Sequence, residues 1–179
     1  MDHVWSLTSA DGQVVAPART PLGWTLRSLV SDLITLFDVN RKECARILLS
    51  LRIFSARDTF KPLQPSEDAT STLSLESLII STLLSSMLSL PASSFPQIYY
   101  TSLIAELCKA SPNTVAPPVG RAVRKMYSLM GSEGLDVEII RRLGDWLATH
   151  LSNFGFQWMW KEWYVDRSRR KTCAHSQGT

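Results

Sequence analysis

The chain has 179 residues, of which 45% are hydrophobic and 20% charged, and its formal net charge is +3. This composition excludes the low-hydrophobicity, high-charge signature of intrinsic disorder, and the length suits one domain with a substantial core. Residues 166–171 carry the whole net charge and leave 15 basic and 15 acidic residues elsewhere. Because proteins that grip a phosphate backbone concentrate Lys and Arg on one face, the body is not expected to be a nucleic-acid clamp.

Three cysteines, Cys44, Cys108 and Cys173, are too few and too widely spaced for a disulfide framework, and no Cys-x-x-Cys pair offers a zinc clip. A reducing compartment is favoured. Cys44 and Cys108 occupy apolar positions of predicted helices, where a free thiol behaves as a small buried hydrophobe. The N-terminus lacks the basic and apolar regions of a secretory signal.

The first segment of the chain, residues 1–19, shows no sustained periodicity of its apolar residues and is expected to be a flexible leader. Thr20 followed by Pro21 predicts the start of a first helix, because threonine caps free N–H groups and proline lacks one. Five leucines then line one face of that helix: Leu22, Leu26, Leu29, Leu33 and Leu36. Asn40, with Glu43 three residues later, predicts the cap of a second helix.

Proline and acidic residues make residues 55–71 a loop. A third helix from about residue 73 is apolar around much of its circumference and is expected to lie deep in the array. Pro91 ends it, and Pro96 begins a fourth helix. The residues between Glu76 and Glu106 are all uncharged, and this stretch is long enough to cross a bilayer. Because the two prolines interrupt it, a buried core helix fits the stretch better than a membrane hairpin.

The Pro-Pro pair is expected to delay a fifth helix to about residue 118, which Gly131 and Gly134 then end. Asp136 predicts the cap of a sixth helix. Its buried residues are expected to be Ile140, Leu143, Leu147 and Leu151, and its exposed ones Glu138, Arg141, Arg142 and Asp145. Helix pairs repeating about every 40 to 50 residues predict an all-α fold, with antiparallel helix pairs stacked as a HEAT-like solenoid.

Motifs for catalysis are lacking in the sequence, which contains no glycine-rich phosphate loop, no His-Glu-x-x-His and no Gly-x-Ser-x-Gly. His150 lies at the end of the sixth helix without an obvious relay and is interpreted as structural. We therefore expect no catalytic residue, cofactor, metal or small-molecule substrate.

The most unusual segment is residues 150–163, which hold three of the six tryptophans and two phenylalanines. Phe156, Trp158, Trp160 and Trp163 are the candidate partner-binding residues, because aromatic side chains dominate interface hot spots. The alternative is that these rings, together with Phe154, seal the end of the sixth helix against the next helix. An RNA-stacking role is the third option.

The order of residues in this segment resembles the large subunit of the nuclear cap-binding complex, in which a His-Leu-Ser-Asn-Phe string runs into spaced tryptophans. Residues 100–109, ending in Glu-Leu-Cys-Lys, and residues 41–46 are similar to the same family. The resemblance covers roughly residues 25–163 and points to the second of three domains like the middle domain of initiation factor 4G. It predicts one repeat domain over residues 20–163, and the basic residues 164–179 are expected to be a disordered tail.

The resemblance implies a non-enzymatic nuclear scaffold, able to shuttle to the cytoplasm, that clasps a small subunit with an RNA-recognition motif and contacts capped RNA only indirectly. The sequence departs from the family pattern after Trp163, which suggests a fungal-type fragment or truncated form. A cytoplasmic helical-repeat adaptor of translation or RNA decay is the alternative, and a helical membrane protein is a weaker one.

Overall fold

Six helices make up the regular structure of the described residues, which in this computed structural model are 20–55, 60, 74–132 and 135–158. They are α1 (Pro21–Leu36), α2 (Arg41–Phe54), α3 (Leu75–Met87), α4 (Gln97–Ala110), α5 (Pro112–Ser132) and α6 (Val137–Asn153). The predicted leader, the tail, and parts of the predicted 55–71 loop lie outside these residues. The domain boundaries therefore stay predictions.

The helices form two layers. Helix α3 packs between α1 and α5 in one layer, while α4 packs between α2 and α6 in the other. Short connections join α1 to α2 and α3 to α4, and the two helices of each of these pairs pack against each other across the layers. This arrangement confirms the predicted all-α helical-repeat solenoid.

Side-chain caps begin four of the helices, three of them at the predicted residues. The backbone N–H of Gly23 donates to Thr20 Oγ1 over 3.1 Å, and that of Glu43 donates to Asn40 Oδ1 over 3.2 Å. Asp136 accepts from the N–H of Glu138 in the same way. Each cap satisfies an N–H group that the helix itself leaves without an acceptor.

The fifth helix corrects the sequence prediction, because it begins at Pro112 instead of near residue 118 and passes through Pro117 and Pro118. Proline in a helix interior removes one hydrogen bond and crowds the preceding turn. Packing outweighs that cost here. A buried apolar stripe starts ahead of the prolines and continues after them along the face that meets the core: Val115, Val119, Ala122, Val123 and Met126.

The core is centred on α3 and α4, as the apolar circumference of α3 predicts. Leu83, Leu103 and Leu107 have no exposed surface, and ten of the 13 residues of α3 are buried. Cys44 and Cys108 are free thiols inside this core, as expected. Burial raises the pKa of each of these two thiols to about 11, so both stay protonated and unreactive at neutral pH.

Candidate protein-interaction surface

Helix α6 ends in a turn that separates the aromatic residues following it. The N–H of Phe156 donates to the carbonyl of Leu151 over 2.8 Å, and Gly155 has a φ of 63°. This is the Schellman pattern, in which a glycine in the left-handed region closes a helix. The chain therefore leaves α6 in a direction that the backbone fixes.

Phe156 is the candidate residue that faces solvent. Its φ of 56° is in the left-handed region, which a bulky side chain rarely adopts, and its side chain is 60% exposed. An aromatic ring held outward by an unfavourable backbone conformation is a feature that folding stability alone does not favour. Phe156 thus fits a contact with another molecule.

Trp158 lies inward instead. It is half-buried and packs against the hydrophobic core, and the guanidinium of Arg124 lies 5.8 Å from its ring centroid. At that distance the cation is attracted to the ring face. The structure therefore divides the aromatic segment, with Phe154 and Trp158 against the core and Phe156 outside. Trp160 and Trp163 lie outside the described residues, so their role stays a prediction.

His150 is structural in this arrangement, as the sequence indicates. Its ring lies between those of Trp146 and Phe154, with centroid distances of 5.2 Å and 4.9 Å. Burial lowers the pKa of His150 from its ordinary value of 6.5, so the imidazole is neutral at physiological pH. Trp146 and His150 belong to the buried face of α6, whereas Ile140 and Leu147, expected to be buried, are only half-buried.

A second apolar surface lies on α1, where the sequence predicts a leucine face but does not assign it to a partner. Val30 and Ile34 form the buried face of α1, and the face with the five leucines lies beside it. Leu26 and Leu33 pack partly against the core, whereas the other three leucines are 51%, 43% and 72% exposed: Leu22, Leu29 and Leu36. Their spacing of seven residues places these three on one line along the helix, which was the available signal. We call Leu22, Leu29 and Leu36 the α1 stripe.

A recess of about 380 Å³ lies where the α3–α4 connection meets α6. Arg142, predicted to be exposed, has a side chain that is only 14% exposed, because its guanidinium donates to the carbonyls of Ser89 and Pro91, each over 2.9 Å. It also donates to Glu138, which Arg141 contacts as well. These two arginines, Arg141 first, lower the pKa of Glu138 to about 2.

The described residues contain no group of three or more His, Cys, Asp or Glu side chains that could hold a metal ion. None of their helices combines the length and apolarity needed to cross a membrane. What the geometry does offer is exposed apolar side chains, among them the α1 stripe and Phe156, on a frame of packed helix pairs.

Stacked helix pairs define a helical-repeat protein. Comparison with known families agrees with this class. The family model described as MIF4G like matches residues 16–174, and the chain belongs to this family.

The curated relatives share the name of subunit 1 of a nuclear cap-binding protein or protein complex. The nuclear cap-binding protein complex subunit 1 of Saccharomyces cerevisiae is 34% identical over 92% of this chain, and the nuclear cap-binding protein subunit 1 of Schizosaccharomyces pombe is 33% identical over 78%. That of Arabidopsis thaliana is 37% identical over 69%. The matched region is 20%, 19% and 12% of these proteins, so the chain spans a fifth or less of their length.

Proposed function

We propose that this chain is a non-enzymatic scaffold domain of a nuclear cap-binding complex. The observation that carries the proposal is its similarity, over most of its length, to proteins named nuclear cap-binding protein subunit 1. We propose a nuclear location on the basis of the same names. Residues 20–163 are proposed as the folded unit of this scaffold.

The proposed partner is the small subunit with an RNA-recognition motif, and capped RNA is reached only through it. A rigid stack of helices can order the flexible parts of a partner before its ligand arrives. The free-energy cost of ordering these parts is then met when the two proteins bind. Cap binding no longer includes that cost, so the affinity of the small subunit for the cap increases. This role needs no bond to be made or broken by the chain.

The α1 stripe and Phe156 are the surfaces that we propose for this contact. Exposed leucines in a line fit an apolar partner surface, and an outward phenylalanine fits a pocket. Trp160 and Trp163 remain candidates of the same kind. The balanced charge of the body supports a protein partner over direct contact with RNA.

The test mixes the chain with the purified small subunit and measures the affinity of the small subunit for capped RNA with and without the chain. We expect a stable complex and tighter cap binding. Leu29→Glu places a charge in the α1 stripe and should weaken the complex at least tenfold. The matched control is Ile53→Glu, because Ile53 is also exposed, at 80%, but lies at the end of α2.

An unchanged cap affinity together with no complex would refute the proposed function. Equal loss of binding in the Leu29 and Ile53 variants would retain the scaffold role but reject the α1 stripe as its contact surface.

A further inference from the structure

Three serines of α3, spaced four residues apart, lie along one side of this helix. Side chains from α1 and α5, the neighbours of α3 in its layer, reach that side. Ser77 and Ser81 are 2% and 3% exposed, and Ser85 lies one turn further on. An i, i+4 spacing keeps side chains on the same face. A polar line therefore runs along the most apolar helix of the protein.

Two arginines reach this line from opposite sides. Arg27 of α1 donates from Nη1 to Ser81 Oγ over 3.1 Å, and Arg121 of α5 donates from Nη2 to Ser77 Oγ over 3.2 Å. Because the two serines are one helical turn apart, the two guanidinium groups converge on neighbouring positions of α3. We call these five residues the α3 seam: Arg27, Ser77, Ser81, Ser85 and Arg121.

The α3 seam has more hydrogen-bond donors than acceptors. Arg27 Nε and Nη2 and Ser85 Oγ are shielded from solvent, and none has a hydrogen-bond partner in the part of the chain that the structure describes. Neither arginine forms a salt bridge there. Burial lowers the pKa of both arginines, as expected for cations removed from water without an opposing carboxylate.

A shielded cation is normally paired with an anion, and a guanidinium matches an oxyanion through two parallel N–H donors. We propose that the α3 seam is an oxyanion-binding site that receives an acidic side chain from a protein partner. The inference goes beyond the scaffold role and does not depend on which protein that partner is.

The geometry favours a carboxylate of a protein over nucleic acid. Ser77 and Ser81 are nearly inaccessible, and both arginines are half-buried, so little of the α3 seam is open to a ligand. A single acidic side chain needs less exposed surface than a continuous phosphate backbone. Nucleic-acid surfaces instead display exposed rows of Lys and Arg.

The experiment titrates the full chain with a short blocked peptide containing a Glu-Glu pair and follows the Nε–H resonances of its arginines by NMR. Parallel titrations use the corresponding Gln-Gln peptide, inorganic phosphate and a single-stranded RNA. We expect the resonances of Arg27 and Arg121 to shift and saturate with the Glu-Glu peptide and to stay in place with the Gln-Gln peptide. Arg121→Gln and Arg27→Gln should each weaken binding at least tenfold.

The control variant is Lys42→Gln, which removes the same charge from an exposed position of α2 in the other layer and should leave the affinity unchanged. Circular dichroism verifies that each variant is folded, and the two arginine variants test the site independently. Equal binding of the two peptides, or equal affinity in all three variants, would overturn the site. Tighter binding of phosphate or RNA than of the Glu-Glu peptide would overturn its assignment to an acidic protein segment.

Discussion

The imidazole of His150 stacks on the indole of Trp146, with ring centroids 5.2 Å apart and planes inclined by 26°. Both side chains are buried, and within the described range neither Trp146 Nε1 nor His150 Nδ1 has a hydrogen-bond partner. A protonated imidazole would place an unpaired charge in this apolar stack. The stack therefore requires neutral His150.

We predict that the protein loses stability as the pH falls through the ordinary pKa of histidine. Because the folded-state pKa of His150 lies below 6.5, the unfolded chain binds a proton more readily than the folded one. The stabilisation is complete above pH 6.5 and declines from there down to the folded-state pKa, by about 1.4 kcal/mol for each unit between the two pKa values. Urea denaturation at pH 7.5, 6.5 and 5.5 measures this decrease in the free energy of unfolding.

The control for this prediction is His150→Phe, which keeps an aromatic ring in the stack but cannot titrate. Its stability should vary less between pH 7.5 and 5.5 than that of the unaltered chain. Glu138, whose lowered pKa affects stability only as the pH falls below about 4.5, does not interfere in this range. The same pH dependence in both proteins would show that His150 is not responsible.

Arg142 is predicted to hold the α3–α4 connection in place. Replacing it with Ala removes the hydrogen bonds to the carbonyls of Ser89 and Pro91 and should lower the free energy of unfolding by about 2 kcal/mol, since such bonds come from a charged donor. Amide hydrogen exchange should accelerate mainly in residues 88–96. Denaturant melts and exchange measured by mass spectrometry check both effects.

Arg141→Ala provides the matched comparison, because the neighbouring arginine shares Glu138 but has a 60% exposed side chain and ion pairs only on its own helix. Surface pairs of this kind contribute little. Exchange in residues 88–96 should therefore be unchanged. Similar effects from the two variants would mean that Arg142 has no special role in that connection.

Pro117→Ala is predicted to stabilise the protein. Pro117 is exposed inside α5, so its replacement loses little packing and restores a backbone donor in the second turn. We expect the free energy of unfolding to rise by about 1 to 2 kcal/mol, after allowing for the greater freedom of the unfolded chain. Pro112→Ala, at the first position of the same helix, should change it little, because the N–H that alanine adds there has no acceptor within the helix. A destabilised Pro117 variant would contradict this account.

Phe156→Gly is predicted to separate stability from binding. Glycine adopts a φ of 56° without steric cost, and the phenylalanine ring is exposed, so stability should rise by about 1 kcal/mol. Binding of the proposed small subunit should weaken, because the outward ring is lost. Thermal melts and a binding titration measure the two effects. A variant that binds as tightly as the unaltered chain would exclude Phe156 from the interface.

Helix content and caps were predictable because local chemistry decides them. Thr20, Asn40 and Asp136 cap the helices that the sequence assigns to them, since a side-chain oxygen two or three residues ahead of a free N–H is a local arrangement. The start of α5 was not predictable from Pro117 and Pro118 alone, because the packing of Val115 and Val119 against the core outweighs the local preference.

The candidate surface was only partly predictable for the same reason. The sequence identified the aromatic segment, but only the turn at Gly155 places Phe156 outside and Trp158 against the core. Likewise, five leucines share a face of α1, and the position of the helix in its layer leaves Leu22, Leu29 and Leu36 exposed.

The sequence by itself determined that this protein is all-helical, where most of its helices begin, and which family it resembles, because periodicity and capping act between residues close in the chain. Only the tertiary structure decided which apolar side chains are exposed and that Arg27 and Arg121 meet the serines of α3. Those relationships join residues 44 and 54 positions apart, and no local rule specifies them. They follow from the way whole helices pack to remove apolar surface from water.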